Sequence, residues 1–163
     1  MSEILYVRGD ATVPSGEGAK VVAHVCNDVG GWGRGFVRAV SERWPEPEAA
    51  YRAWYRARET NDFGLGAVQV VRVETDVWVA NLIGQRGTRR RGRGTVPVRY
   101  EAIGTALAAL APRALDLGAR VHMPRIGCGL AGGTWSRVEP LISERLLRRG
   151  VHVTVYDPEE EPS

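Results

Sequence analysis

Several kinds of residue and segment are scarce in this 163-residue sequence. It has only two cysteines, Cys26 and Cys128, which lie far apart, outside any CxxC pair and without a histidine at ligand spacing, so neither a disulfide framework nor a metal site is predicted. No apolar run approaches the roughly 20 residues that span a bilayer, and the opening MSEILYVRGD lacks the basic and apolar segments of a signal peptide. These absences predict a soluble cytoplasmic protein that does not contact a membrane.

Lysine is almost absent as well. Lys20 is the only lysine, and all other basic residues are arginines, which fits either bidentate binding of phosphate and carboxylate or a bias in genome composition. The phosphate-loop pattern GxxxxGK[ST] is missing, which excludes an ATPase of that type. The three histidines, His24, His122 and His152, lie in apolar strand patterns and are expected to be structural.

What the sequence does contain is an alternation of strand and helix patterns. Nearly continuous apolar runs predict six strands, over residues 4–7, 21–25, 67–73, 77–83, 121–123 and 151–156. Helical spacing of apolar residues predicts helices around 36–44, 103–110 and 138–146, and a further helix is expected over 48–58. Strands interleaved with helices in a chain of this length predict a single α/β domain whose sheet is covered on both faces.

Two glycine-rich loops each follow a strand and precede a helix. The first lies in HVCNDVGGWGRGF, from His24 to Phe36, and the second in PRIGCGLAGG, from Pro124 to Gly133. Glycines let the backbone come close to a ligand, and free N–H groups at a helix start attract phosphate. In an open α/β sheet such loops converge at the carboxyl ends of the strands, where facing amides can enclose a diphosphate. The spacing of Ser136 and Glu139 also predicts a capping box at the start of the last helix.

The second loop raises a rival interpretation. Gly127, Gly129 and Gly132 spell GxGxxG, the fingerprint of a Rossmann dinucleotide fold. Its position argues against that fold, because only one strand follows and no complete βαβ unit remains to supply the acidic residue that binds ribose. Asp157 comes late for that role. A phosphate-binding cleft built from both loops is therefore the favoured interpretation.

Taken together, these motifs resemble the macrodomain family of ADP-ribose-binding modules over nearly the whole chain. The segments concerned are VRGDAT, VAHVCNDVGGWGRGF, MPRIGCGLAGG and VTVYD. The resemblance implies a three-layer α/β/α sandwich with a central mixed sheet, and ADP-ribose as ligand without a cofactor. It implies that Asp10 meets the adenine amine with Ala11 beside it, that Asn27 lies near the distal ribose, and that Tyr156 borders the adenine. It also implies that the two loops bind the ligand through Gly30, Gly31, Trp32, Gly33 and Gly35, and through Arg125, Ile126, Gly127, Cys128, Gly129, Leu130 and Ala131.

Within the family, CNDVG and MPRIGCGL most resemble the branch that includes terminal ADP-ribose protein glycohydrolase and the macrodomain antitoxins. Members of that branch remove ADP-ribose from acidic side chains, from O-acyl-ADP-ribose or from DNA. One mechanism in the branch uses a lysine nucleophile and an aspartate, and here Gln85 and Ala131 stand at those positions. Glutamine forms no covalent adduct with an opened ribose, so hydrolysis here would require activation of a water held by Asn27, Asp28 or Gln85.

Three functions are compatible with these residues. The favoured one is an ADP-ribosylhydrolase, a monomer that cleaves ester-linked ADP-ribose from mono-ADP-ribosylated proteins or from O-acyl-ADP-ribose. The second is a non-catalytic reader of ADP-ribose or of ADP-ribosylated protein, because the lysine and aspartate are missing. The third is a nucleic-acid-binding module, suggested by the arginine-rich loop from Arg86 to Arg93. That loop is interpreted either as a solvated surface loop or as a site that captures poly(ADP-ribose) or nucleic acid.

Several site residues have a structural alternative. Asp28 is expected either to orient the water or to cap a turn or helix, and Asn27 shares that ambiguity. Trp32 either covers the distal ribose as a lid, which is favoured, or packs on the sheet. Arg125 either clamps a phosphate or acyl group or pairs with Asp28. The domain is expected to span residues 1–157, followed by a disordered acidic tail over 158–163.

Overall fold

The computed structural model describes residues 3–88 and 95–158. All six predicted strands are present: β1 (Leu5–Arg8), β2 (Lys20–Asn27), β3 (Val68–Glu74), β4 (Val77–Gln85), β5 (Arg120–Met123) and β6 (Val153–Asp157). The predicted helices are present as well: α1 (Phe36–Arg43), α2 (Glu46–Arg56), α3 (Tyr100–Leu117) and α4 (Trp135–Arg145). The third helix is longer than its apolar pattern predicts, and it ends at Gly118, whose left-handed conformation (φ 62°) stops it.

The strands form one sheet in the order β1-β6-β5-β2-β4-β3. All neighbouring pairs are parallel except β3 with β4, so the sheet is mixed. Successive side chains of β2 point to opposite faces, and both faces are covered: Val21 packs in the cluster formed with α3 and α4, and Val22 in the cluster formed with α1 and α2. The predicted three-layer α/β/α sandwich is confirmed, and it explains why β2 and β4 read as continuous apolar runs.

A crevice opens in the middle of the sheet. β2 and β5 are neighbours, yet they pair only through residues 20–22 and 120–122. The chain leaves β2 toward α1 on one face and leaves β5 toward α4 on the other face. Such a reversal of direction is where open α/β sheets bind ligands, beyond the carboxyl ends of the strands. Both glycine loops start at this point, as the sequence predicts.

The capping box predicted at the start of the last helix is wrong. α4 begins at Trp135 with Thr134 as its N-cap residue, and no side chain caps it, so Ser136 already lies inside the first turn. Glu139 instead accepts a hydrogen bond from the hydroxyl of Tyr6. A long-range partner on β1 therefore replaces the local contact that the spacing suggested.

Two predicted segments lie partly outside the described residues. Of the arginine-rich loop, residues 89–94 are not among the described residues, and neither are residues 159–163 of the predicted tail. In the described part of the chain, no helix is both long enough and apolar enough to cross a membrane.

Candidate functional site

The candidate site has a larger and a smaller pocket, and the larger one lies at the carboxyl edge of the sheet, beyond the ends of β1, β6 and β5. Its volume is about 920 Å³. It is lined by Gly9, Asp10, Ala11, Val13, Phe36, Ala39, Pro124, Arg125, Cys128, Gly129, Tyr156, Asp157 and Pro158. Apolar side chains thus surround a few polar groups, which is the usual composition of a small-molecule site.

The smaller pocket lies beyond the ends of β2 and β4 and has a volume of about 230 Å³. It is lined by Val25, Cys26, Asn27, Trp32, Gly33, Arg34, Val37, Gln85, Thr88 and Leu130. A β-bulge between Cys26 and Asn27 shifts the register of β2 against β4, so that Asn27 lies opposite Gln85. The bulge therefore brings two polar side chains together at this pocket.

The two glycine loops separate the pockets and approach each other between them. Gly129 lines the larger pocket, whereas the next residue, Leu130, lines the smaller one. A β-carbon added at Gly35 would lie 3.7 Å from a methyl carbon of Leu130, so the loops nearly touch there. Gly35 is also the N-cap residue of α1 with φ 87° and ψ −136°, a conformation that favours glycine. A ligand that filled both pockets would cross the region where the loops approach each other.

Hydrogen bonds hold two polar lining residues of the larger pocket, Asp10 from the loop after β1 and Tyr156 from β6. One oxygen of Asp10, Oδ1, accepts hydrogen bonds from the backbone N–H of Thr12 (2.8 Å) and from its hydroxyl (2.7 Å). The Tyr156 hydroxyl is held by the backbone N–H of Ser15 (2.9 Å) and by Nδ1 of His122 (2.8 Å). These contacts fix the carboxylate of Asp10 and the ring of Tyr156 at the pocket wall.

Arg125 forms an ion pair, but not with the residue that the sequence suggested. Its guanidinium donates to Asp157 through Nε (2.5 Å to Oδ1) and through one terminal nitrogen (3.1 Å to Oδ2), so the pairing with Asp28, one of the two predicted alternatives, is wrong. The guanidinium also lies over the rings of Tyr6 (5.3 Å) and Trp135 (5.1 Å). The ion pair raises the pKa of Arg125 and lowers that of Asp157. It also ties the ends of β5 and β6 together at the pocket.

Asn27 serves mainly to shape the first glycine loop. Its Oδ1 accepts from the backbone N–H of Val29 (2.9 Å) and from the hydroxyl of Tyr51 (2.8 Å), and its Nδ2 donates to the carbonyl of Gly31. The side chain is only 4% exposed. Asn27 therefore forms the turn that was one of its two predicted roles, at the edge of the smaller pocket.

Asp28 and Gln85 both hold the turn at Gly87. Oδ1 of Asp28 accepts from the backbone N–H of Gly87 (2.8 Å), and Nε2 of Gln85 donates to its carbonyl (2.9 Å). Gln85 lines the smaller pocket, whereas Asp28 lines neither pocket. Oε1 of Gln85 has no hydrogen-bond donor within residues 3–88 and 95–158, so it is the acceptor available at the pocket.

The prediction that Trp32 forms a lid is wrong. Its ring is buried, 7% exposed, and packs against His24 (ring centroids 5.3 Å apart) and Tyr51 (5.4 Å). Its indole N–H donates to the hydroxyl of Ser41 (2.7 Å). The ring thus packs in the buried cluster on one face of the sheet, as the alternative interpretation had it. It forms a wall of the smaller pocket rather than a cover.

The structure divides the predicted site residues into three groups. The larger pocket contains Asp10, Ala11, Arg125, Cys128, Gly129 and Tyr156. The smaller pocket contains Asn27, Trp32, Gly33, Gln85 and Leu130. The remaining residues line neither pocket, and these are Asp28, Gly30, Gly31, Gly35, Ile126, Gly127 and Ala131. Within this last group the side chains of Ile126 (2% exposed) and Ala131 (6%) belong to the core, which is why they do not reach a pocket.

Sequence reasoning missed several lining residues. The polar ones are Asp157, Arg34 and Thr88. Asp157 ends β6 at the same edge as the glycine loops, and this position was the signal that could have identified it. Thr88 follows Gly87, whose backbone is hydrogen-bonded by Asp28 and Gln85, and this turn places Thr88 at the smaller pocket. No local sequence pattern predicts that turn.

Lys20 lies away from both pockets. It begins β2, at the opposite edge of the sheet, and its ammonium donates to the carbonyl of Gly18 (3.0 Å). Both pockets lie at the carboxyl edge of the sheet and neither is lined by Lys20, so the only lysine of the sequence is not available to either of them.

Two buried histidines make the folded state sensitive to acid. Burial lowers the pKa of His24 to about 4, although its bond to Asn81 opposes the shift. Burial lowers the pKa of His122 to about 4 as well, and the charges of Lys20 and Arg120 add to this effect. Both values lie below the ordinary 6.5 of an unfolded histidine, so the unfolded state binds more protons between about pH 6.5 and 4.

We therefore expect the free energy of unfolding to fall as the pH is lowered through this window. Between pH 7.5 and 5 the loss should be about 2 kcal/mol for each histidine. Urea unfolding at several pH values measures it, and His122→Asn should remove about half of the pH dependence. An unfolding free energy that stays constant from pH 7.5 to 5 would contradict the account.

Comparison with known proteins shows close relatives among solved structures. A macrodomain protein from Streptomyces coelicolor is 70% identical with a TM-score of 0.85, and the match covers 95% of this chain and 99% of that chain. A protein of unknown function from Bacteroides thetaiotaomicron is 53% identical with a TM-score of 0.91, and the match covers 95% and 98%. No family model matches the chain.

Curated relatives are more distant or much longer. Mouse chromodomain-helicase-DNA-binding protein 1-like is 32% identical over 95% of this chain but only 18% of its own length, so the chain spans less than a fifth of that relative. The ADP-ribose 1''-phosphate phosphatase of Meyerozyma guilliermondii is 22% identical, over 94% of this chain and 99% of its own length. Thermosipho africanus DarTG in complex with ADP-ribose shares the fold, with a TM-score of 0.69 at 20% identity over 88% of this chain and 39% of that chain.

Proposed function

This chain belongs to the macrodomain family, and we propose that its two-pocket cleft binds ADP-ribose and hydrolyses ester-linked ADP-ribose by activating water. The observation that carries this proposal is the pair of glycine loops that approach each other between a large and a small pocket at the crevice of the sheet. A dinucleotide-like ligand has the matching form, with two bulky ends joined by a diphosphate. The DarTG structure with bound ADP-ribose, which shares the fold, is consistent with it.

In this proposal the larger pocket binds the adenosine end. Asp10 accepts a hydrogen bond from the adenine amine, with Ala11 beside it, and the ring of Tyr156 borders the base. The carboxylate of Asp10 is held by two hydrogen bonds from Thr12, so it needs little reordering when the ligand binds. Asp157 and Arg125 line the same pocket and supply polar groups for the adjoining ribose.

The diphosphate would lie between the loops. Residues 30–35 and 125–131 would supply backbone N–H groups from two sides, except Gly30 and Cys128, whose N–H groups already donate to the Tyr51 hydroxyl and the Arg125 carbonyl. A β-carbon at Gly129 would meet nothing within 4 Å, so there is open space beside the larger pocket. Hydrogen bonds to a charged group contribute about 1.5–3 kcal/mol each, so four or five of them leave micromolar affinity after the cost of association.

The distal ribose would occupy the smaller pocket, where the ester is cleaved. Gln85 is our candidate for holding the attacking water, because its Oε1 accepts no hydrogen bond among the described residues while its Nε2 donates to the carbonyl of Gly87. Asn27 and Asp28 are supporting candidates whose hydrogen bonds to Val29 and Gly87 keep this wall in place. The buried thiol of Cys26 lines the same pocket, but burial raises its pKa, so it stays neutral near pH 7 and is a poor nucleophile.

A non-catalytic reader is the second candidate, and one observation favours it. Asn27, Asp28 and Gln85 each form hydrogen bonds to backbone groups of neighbouring turns, which occupies part of their polar atoms. The described part of the smaller pocket has no lysine or carboxylate lining it. In that case the same cleft would bind mono-ADP-ribosylated protein without turnover. Capture of poly(ADP-ribose) or nucleic acid by Arg86 to Arg93 remains a separate proposal about a loop of which residues 89–94 lie outside the described residues.

Release of ADP-ribose from a glutamate-modified protein separates these candidates. We expect the wild type to release ADP-ribose and Gln85→Ala to do so roughly 10- to 100-fold more slowly, because the water loses its orientation. Binding of free ADP-ribose should be nearly unchanged in Gln85→Ala. Binding by the wild type without any release would establish the reader, and neither binding nor release would refute both.

A further inference from the structure

We propose that Arg34 binds the carboxylate that departs from the distal ribose, and that it thereby selects anionic leaving groups. This inference rests on the proposed function and deepens it. It starts from the arrangement of the smaller pocket, in which the interior and the mouth are chemically different.

The interior of the smaller pocket is formed by buried side chains, and its mouth by exposed ones. Cys26, Trp32 and Val37 are each less than 9% exposed, so they form the inner wall. Leu130 is 71% exposed, and Arg34 and Thr88 are exposed too. A ribose that filled the interior would direct its anomeric substituent outward, past Arg34 and Thr88.

Arg34 is the charged side chain of this pocket. Of the described lining residues only Arg34 carries a charge near pH 7, and no aspartate or glutamate is among them. No hydrogen bond or ion pair engages its guanidinium within residues 3–88 and 95–158. The larger pocket differs, because its arginine, Arg125, is already paired with Asp157. The charge at the mouth of the smaller pocket is therefore available for an anion.

Two glycines flank this arginine in the first glycine loop. Gly33 and Gly35 have φ of 84° and 87°, a region that disfavours other residues. A β-carbon added at Gly35 would lie 3.7 Å from a methyl carbon of Leu130, which lines the same pocket. Arg34 therefore belongs to the part of the first loop that approaches the second loop at this pocket.

The chemistry gives this position a role. When water attacks, its oxygen forms a bond to the anomeric carbon of the distal ribose and the bond from that carbon to the ester oxygen breaks. The electron pair stays on the departing carboxylate, and the proton of the water passes to solvent. Negative charge therefore grows on the carboxylate, and a planar guanidinium can pair with both of its oxygens.

A single-turnover experiment on the glutamate-modified protein tests the inference. We expect Arg34→Ala to release ADP-ribose roughly 10- to 100-fold more slowly, with Arg34→Lys between Arg34→Ala and wild type because it keeps the charge but loses the planar fork. Affinity for free ADP-ribose should change less than about twofold, since the carboxylate is absent from that ligand. The matched control is Arg38→Ala, an exposed arginine of α1 that lines neither pocket.

Equilibrium binding supplies a second arm that does not depend on turnover. ADP-ribose 1''-phosphate places an anion on the same carbon, so the wild type should bind it at least about fivefold more tightly than ADP-ribose, and Arg34→Ala should lose this preference. A wild type that binds but releases nothing would refute the hydrolase while this arm still decides whether Arg34 recognises the anion. Equal preference in wild type and Arg34→Ala overturns the inference, as does unchanged release. A parallel fall in release and in ADP-ribose affinity would overturn it too, because Arg34 would then serve the diphosphate.

Discussion

Gly129→Glu is expected to abolish binding of ADP-ribose, with a loss of affinity of about 100-fold or more. Gly129 lines the larger pocket next to the point where the loops approach each other. A carboxylate placed there would meet the negative charge of the diphosphate in a partly enclosed site, where like charges repel strongly. Calorimetric titration with ADP-ribose measures the effect.

The fold should tolerate Gly129→Glu, and the chain offers a matched control variant. A β-carbon at Gly129 would meet nothing within 4 Å, and its φ is not in the positive region, so the loop can accept a side chain. Gly64 has the same two properties and lines neither pocket, which makes Gly64→Glu the matched variant with the same change of charge. Equal affinity of wild type and Gly129→Glu would mean that the diphosphate does not lie between the loops.

Gly133→Ala should have the largest effect on stability. A β-carbon at Gly133 would lie 2.3 Å from the carbonyl oxygen of Gly127, and the backbone N–H of Gly133 donates to that same oxygen at 2.7 Å. The two backbone segments must therefore move apart and weaken this hydrogen bond. Overpacking of this kind costs about 1–3 kcal/mol, and since backbone must move we expect about 3 kcal/mol.

Urea unfolding of Gly133→Ala and Gly129→Ala compares a close contact with open space in the same loop. The expected result is a large loss for the first variant and a change within about 0.5 kcal/mol for the second. Because the second glycine loop depends on the contact of Gly133 with Gly127, the first variant should also bind ADP-ribose less tightly. Equal stability of the two variants would show that the loop relaxes freely, which contradicts the close packing described above.

The sheet was predictable because burial dictates composition. Val21 and Val22 face opposite layers, and a strand buried on both faces must be apolar at every position, so it appears in the sequence as an unbroken run. The glycine loops were predictable for a related reason, since few other residues allow the backbone of Gly35 to enter a helix at φ 87°. Both signals are local, and local signals survive in a single sequence.

Partners of polar side chains were less predictable, because they depend on residues far apart in the chain. Arg125 meets Asp157 rather than Asp28, since the parallel pairing of β5 with β6 brings those two strand ends together. Trp32 appeared exposed among glycines, yet the loop turns its ring onto Tyr51 of another helix. The candidate catalytic role of Asp28 is similarly shared with a contact to Gly87, 59 residues away.

The most direct test of the account is calorimetric titration of the wild type with ADP-ribose and, separately, with AMP. Binding that uses both pockets and the diphosphate between them should give ADP-ribose a dissociation constant in the micromolar range. AMP fills only the larger pocket and should bind at least about tenfold more weakly. ADP-ribose and AMP of equal affinity would contradict a role for the smaller pocket, and absence of ADP-ribose binding would contradict the central claim itself.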